Sequence, residues 1–136
     1  MNGETTVVVN AATVTVLTGA AGDVITSYTA DGNGTISGLG NEKLTLSGNT
    51  SVANANTLAA ETSGVITATI TEGDVTTLKT LNETTNAYTI TITDGTVAVA
   101  DLNTINGATT VAVNSNSITT LTGAAGDVIT AYTAAD

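Results

Sequence analysis

The residues best suited to chemistry in this chain are oxygen donors. Asp31-Gly32-Asn33-Gly34-Thr35 alternates carboxylate, amide and hydroxyl donors with glycines, and Glu42 stands twelve positions on from Asp31, counted inclusively. Calcium takes about six to eight hard oxygens from such groups, so Asp31, Asn33 and Glu42 are candidate ligands. An EF-hand loop needs glycine at its sixth position, and Ile36 stands there. That pattern fails, and only a looser site stays open. The plainer reading of the stretch is a Gly-Asn turn between elements. It is preferred, because the equivalent of Asp31 in a second copy of this region is Ala135. Glu72, Asp74 and Asp94 form a second acidic group. Stacked strands about 4.8 Å apart would bring them to one corner, where a bound cation would relieve their repulsion. Solvated turn acids are the competing and commoner outcome. Calcium is the only cofactor these residues suggest.

Other chemistries lack their parts. There is no His and no Cys, so the usual general base, the thiolate nucleophile and the soft metal ligands are missing. No G-x-S-x-G elbow occurs, and the pairs Gly32/Gly34 and Gly38/Gly40 lack the Lys-Ser/Thr of a phosphate loop. No enzymatic activity is expected. Asp23 and Asp127 each follow a glycine and read as helix N-caps or first-turn acids. Thr67, Thr69, Thr71, Thr89, Thr91 and Thr93 alternate along two segments. Such a ladder could order water and bind ice, or it could simply be β-branched residues on a solvent-facing strand. Asn33-Gly34-Thr35, Asn49-Thr50-Ser51 and Asn82-Glu83-Thr84 match the glycosylation sequon as chance predicts in an Asn- and Thr-rich chain.

The elements that would position these residues repeat. Leu-Thr-Gly-Ala-Ala-Gly-Asp-Val-Ile-Thr runs from Leu17 to Thr26 and again, unchanged, from Leu121 to Thr130, 104 residues later. The likeness extends on both sides, so residues 2–32 recur in register as 106–136. A finer pattern divides this period. A β-branched residue followed by Leu recurs at Val14, Ile36, Val52, Val75, Val97 and Ile118, in steps of 22, 16, 23, 22 and 21 residues.

Alternating runs precede most of these anchors: Thr6–Val9, Lys43–Ser47, Ile66–Thr71, Tyr88–Thr93 and Thr110–Val113. Period-two alternation of β-branched residues predicts strands. Turns are expected at Ser47-Gly48-Asn49, Glu72-Gly73 and Asp94-Gly95. Ala20–Tyr28, Ala53–Ala60, Thr76–Leu81 and Ala98–Ile105 carry spaced apolar residues and predict short helices or helix-like turns, against the weak helix propensity of Thr and Asn. In stacked repeats, Ala68, Ile90 and Val111 would form one inward ladder and Ile70, Ile92 and Val113 another. Thr67/Thr89/Thr110, Thr69/Thr91 and Thr71/Thr93 would line the outer face.

Composition fits thin layered structure. Phe, Trp, Cys and Pro are absent, and the aromatics are Tyr28, Tyr88 and Tyr132. A core must then come from many small aliphatic contacts. The net charge is −10, with Lys43 and Lys79 the only cations, which excludes the basic footprint of nucleic-acid binding. No run reaches the roughly 18 apolar residues of a membrane span. The opening Met-Asn-Gly-Glu-Thr-Thr lacks the basic start and apolar run of a signal peptide. The targeting signal of a secreted parent is expected elsewhere, and the sequence reads as a piece of a longer array.

The phrases LTGAAGDVITAYTA, ISGLGNEKLTLSGNTSVANANTLA and TVAVADLNTINGATTVAV resemble the tandem repeats of giant cell-surface proteins of marine cyanobacteria, those of the swimming-motility type among them. The resemblance spans nearly the whole chain. It implies an extracellular or cell-surface location and carries over no catalytic residue.

The expected architecture is an α/β or all-β solenoid, right-handed, with coils of about 21–22 residues, a parallel sheet on one side and short helices or turns opposite. Residues 1–136 would form a single solenoid segment. Its expected function is that of a structural repeat module, a spacer, stalk or matrix segment of a large extracellular bacterial protein. The alternative is a calcium-dependent adhesin or a Thr-ladder surface that binds ice or carbohydrate. Expected partners are neighbouring repeats of the same chain, with head-to-tail self-stacking and no membrane insertion.

Overall fold

The computed structural model describes residues 6–135, so residues 2–5 and 136 of the duplicated segment lie outside the described residues. Strands and short helices alternate along them. In order they are β1 (Val9–Asn10), β2 (Val16–Gly19), α1 (Ala21–Gly32), β3 (Ile36–Ser37), β4 (Lys43–Thr50), α2 (Val52–Glu61), β5 (Ile66–Ile70), α3 (Val75–Leu78), β6 (Ala87–Thr89), β7 (Thr96–Ala98), α4 (Val99–Gly107), β8 (Thr120–Thr122) and α5 (Ala125–Ala135). This is a mixed α/β fold. All strand pairing among the described residues is parallel: β1 with β3, β2-β4-β5-β6 as one four-stranded sheet, and β7 with β8. Paired residues lie 20–27 positions apart in sequence. A helix or an extended connection fills each interval, as parallel pairing requires.

The alternation predicted from the sequence appears as burial. Leu44 and Leu46 in β4, Ile66, Ala68 and Ile70 in β5, and Tyr88, Ile90 and Ile92 are buried, whereas Thr67, Thr69, Thr71, Thr89, Thr91 and Thr93 are exposed. Leu17, Leu44 and Ile66 stand opposite one another across three strands and make one inward row. Against it pack Val24 and Tyr28 of α1, Val52, Ala55 and Leu58 of α2, and Val75 and Leu78 of α3. The core is therefore the layer between sheet and helices, built from aliphatic side chains and two tyrosines.

The helices form despite their threonines because the hydroxyls turn inward on the backbone. Thr26 donates to the Gly22 carbonyl, Thr29 to Ile25, Thr57 to Ala53 and Thr104 to Ala100. Each bond spans one helical turn, which satisfies the hydroxyl without breaking the helix.

The register differs from the predicted one. Ala68 stands opposite Tyr88 and Thr69 opposite Thr89, where the repeat pattern set Ala68 against Ile90 and Thr69 against Thr91. Thr91 bridges Asn114. A two-residue slip leaves every side chain on its predicted face, so a period-two pattern cannot fix it. Buried polar side chains fix it instead. The Asn86 Oδ1 accepts from the Ile66 amide at 2.8 Å, and the Thr109 hydroxyl accepts from the Tyr88 amide at 2.9 Å.

Three predicted strands are also shortened or lost. The first is the strand Val9–Asn10, the run from Tyr88 is the strand Ala87–Thr89 with an isolated bridge at Thr91, and Thr110–Val113 forms none, leaving Val111 37% exposed. There the Thr109 hydroxyl takes the Val111 amide and the Asn86 carbonyl of the preceding unit takes the Thr110 amide, so one side-chain bond and one inter-unit backbone bond stand where a ladder was expected.

The expected turn at Ser47–Asn49 is a bulge within β4 between Thr45 and Asn49. Gly48 supplies the positive φ it needs, +71°. Gly64 answers a different demand. A Cβ there would run into the carbonyl of Glu42, so only glycine permits this close approach of two chain segments.

Thr50 closes β4 opposite Ile70. Its hydroxyl is buried without a hydrogen-bond partner. Thr50→Val keeps the shape and removes an unsatisfied group, and is expected to stabilise the protein by about 0.5–1 kcal/mol in urea unfolding. A loss of stability would show that the hydroxyl has a partner.

Candidate functional site

Glu42 is 1% exposed, at the entry to β4. One carboxylate oxygen accepts from the Tyr28 hydroxyl of α1, and the pair accepts from the Gly40 amide at 2.9 and 3.1 Å and the Asn41 amide at 3.1 Å. Burial works to raise the Glu42 pKa. The Tyr28 hydroxyl and the backbone amides outweigh it and hold the carboxyl below its ordinary value. Tyr28 moves the other way, pushed up by burial and by the carboxylate it serves. Glu42 is thus an ionised acceptor, closed to solvent and supplied with donors from its own protein.

A column of buried polar groups continues from it. The Thr62 hydroxyl donates to the Glu42 carbonyl at 2.7 Å. Asn86 receives the Ile66 amide and donates to the Tyr88 hydroxyl at 3.0 Å. The Thr109 hydroxyl donates to the Tyr88 carbonyl at 2.7 Å. Burial raises the Tyr88 pKa to about 12, against the lowering effect of Asn86. The Thr62, Asn86–Ile66 and Thr109 bonds each join one strand–helix unit to the next, and the Asn86–Tyr88 bond braces the column within its unit. Buried bonds of this kind set a unique pairing because a misaligned unit strands its donors.

The candidate calcium ligands are distributed among other tasks. Asp31 accepts from the Leu39 amide at 3.2 Å, Asn33 closes α1, and Glu42 faces inward to Tyr28. Glu72 accepts from the Val52 amide at 3.0 Å and Asp94 from the Val75 amide at 2.7 Å, so each acid caps the helix one unit before it. Asp74 caps its own helix through the Thr77 amide at 2.9 Å, and its side-chain and backbone bonds to Thr77 hold its pKa below the ordinary value. Helix N-termini leave amides unpaired and favour negative charge. That is where the turn acids went. Among the described residues, no three acidic side chains gather in a way that could hold a metal ion.

The exposed face of the four-stranded sheet carries Thr18, Thr45 and Thr67 in one row and Asn49, Thr69 and Thr89 in the next. Ala87 ends the first row. The ladder is wider across strands and shorter along them than the sequence predicted.

The chain matches no protein-family model, and neither a curated protein nor a solved structure is significantly similar to it.

A cleft of about 320 Å³ lies between α4 and α5, lined by Leu102, Asn103, Asn106, Val113 and Ser115 among others. No titratable side chain lines it. No helix among the described residues is long and apolar enough to cross a membrane. Sequence reading missed the Tyr28–Glu42 pair and the Asn86–Tyr88 pair. Glu42 carried a signal: it directly precedes the alternating run Lys43–Ser47, and Asn86 stands in nearly the same place before Tyr88–Thr93.

Proposed function

We propose that this chain is a segment of a right-handed α/β solenoid and serves as a structural repeat module, a spacer or stalk, of a large extracellular bacterial surface protein. The observation that carries the reading is the near-constant interval at which successive units meet. Strands pair in parallel 20–27 residues apart. Side chains bridge units at the same spacing: Thr62 to Glu42 at 20, Glu72 to Val52 at 20, Lys79 to Asp101 at 22 and Asn103 to Asp127 at 24. An assembly in which each unit touches only its neighbours can be lengthened without redesign. The extracellular location rests on the resemblance to cyanobacterial surface repeats, which the acidic composition fits.

The test is length. Proteins with one, two and three tandem copies of the 104-residue period are compared by small-angle X-ray scattering. Each period holds five coils at about 4.8 Å, so the maximum dimension is expected to rise by roughly 24 Å per period at constant cross-section. Growth in all three dimensions would overturn the reading.

A further inference from the structure

The two copies of the repeated decamer display opposite halves of one packing arrangement. In the first copy, β2 pairs with β4 on the side of the following unit. In the second, the equivalent strand β8 pairs with β7 on the side of the preceding unit. Tyr28 is 5% exposed and bonded to Glu42, whereas its equivalent Tyr132 is 68% exposed. Ile129 is 67% exposed and Leu121 39%. The side chains that the first copy directs to its neighbour, Leu17, Ala21, Val24 and Tyr28, recur unchanged as Leu121, Ala125, Val128 and Tyr132. The surface fitted to the exposed face of α5 and β8 is therefore already visible: it is β4, α2 and Glu42 of the same sequence.

We propose that residues 106–135 of one molecule dock on β4 and α2 of a second copy, displacing that copy's residues 6–32 and placing Tyr132 against its Glu42. The exchange substitutes one set of contacts for its near-duplicate. The donated segment gains a second neighbour while keeping β7 and the rest of α4 behind it, and the displaced segment gives up its packing on β4 and α2, its other side already carrying Val8 and Val16 exposed, 52% and 48%. Of the bonds between the first copy and its neighbour, the one from the Leu39 amide is lost, because Ala135 replaces Asp31. The product is an open head-to-tail chain of exchanged molecules. This inference uses only the duplication and the packing of its first copy, so it stands or falls apart from the spacer role.

Cysteine pairing tests it, in a protein with no cysteine of its own. Thr18 stands opposite Thr45, and Thr122 is the equivalent of Thr18. In the exchanged assembly Thr122 of one molecule therefore faces Thr45 of the next, at the roughly 4.8 Å of neighbouring strands, within disulfide reach. Single variants T45C and T122C are mixed at high concentration, warmed to just below melting, cooled and oxidised, and the linked peptides are identified by mass spectrometry. A T45C–T122C link is expected, with none from a parallel mixture of T18C and T122C. Plain end-to-end stacking of one copy on the other would give the T18C–T122C link instead and overturn the proposal, as would random linkage in both mixtures or in neither. All three positions are exposed, and circular dichroism of the reduced variants checks their folding. As a measurement free of cysteines, sedimentation of the unmodified chain is expected to show association with rising concentration that Tyr132→Ala abolishes. A monomer at every concentration would overturn the exchange.

Discussion

Tyr28→Ala is expected to cost about 3–5 kcal/mol of folding stability, and Tyr132→Ala less than about 0.5 kcal/mol. The two tyrosines lie in equivalent helices, α1 and α5, each four residues beyond an identical Gly-Ala-Ala-Gly-Asp-Val run. Local propensity is therefore nearly the same for both. Their surroundings differ. The Tyr28 ring is packed among α1, β4 and α2, and its hydroxyl serves Glu42. Truncating it opens a cavity and leaves a buried carboxylate short of a donor. The Tyr132 ring is 68% exposed, so truncation removes little packing. Urea unfolding at low protein concentration measures both, with the midpoint moving at unchanged slope. Equal losses would mean that α5 is covered as α1 is, or that α1 is not.

Glu42→Gln is the second large effect, about 2–4 kcal/mol. The amide keeps one oxygen for the Gly40 and Asn41 amides, but an uncharged NH2 replaces the oxygen that accepted from Tyr28 and, in part, from Gly40. The charge-assisted bonds are lost, the Tyr28 hydroxyl must turn from donor to acceptor, and the second N–H meets the Gly40 amide, itself a donor. The same site ties stability to pH. The folded pKa of Glu42 lies below its unfolded value, so its contribution is complete above the ordinary glutamate range, near pH 4.3. It is lost as pH falls through the lower, folded value. Melting temperatures of the parent protein are expected to drop on acidification below about pH 4.3, and those of Glu42→Gln to drop less steeply. Some slope stays in the variant, because Asp74 is depressed as well by its bonds to Thr77. A variant that matches the parent in slope would show that folding does not depress the Glu42 pKa.

Much of the secondary structure was legible. Alternation named the buried and exposed faces of β4, β5 and the run from Tyr88, because side chains of a strand point to opposite faces in turn. Spaced apolar residues named α1, α2, α3 and α4 to within a few residues. Register was not legible, since Ala68 pairs equally well by pattern with Tyr88 or Ile90. The choice lies with Asn86 and Thr109, whose hydrogen bonds join residues about twenty positions apart. The acids were found, but their partners were not legible, for the same reason. Glu72 and Asp94 read as turn residues, yet each meets the first amide of a helix that precedes it by 20 or 19 residues.

The repeated decamer separates the two kinds of information. By itself it determined a short strand, a glycine at large positive φ (+152° at Gly19, +147° at Gly123) and a helix with aspartate in its first turn, and it did so twice. Those features depend on bonds within a few residues. Whether the valine and tyrosine of that helix are buried was decided only by tertiary structure. Burial depends on what lies across the interface. Residues 36–61 cover the first copy, and among the described residues nothing covers the same face of the second.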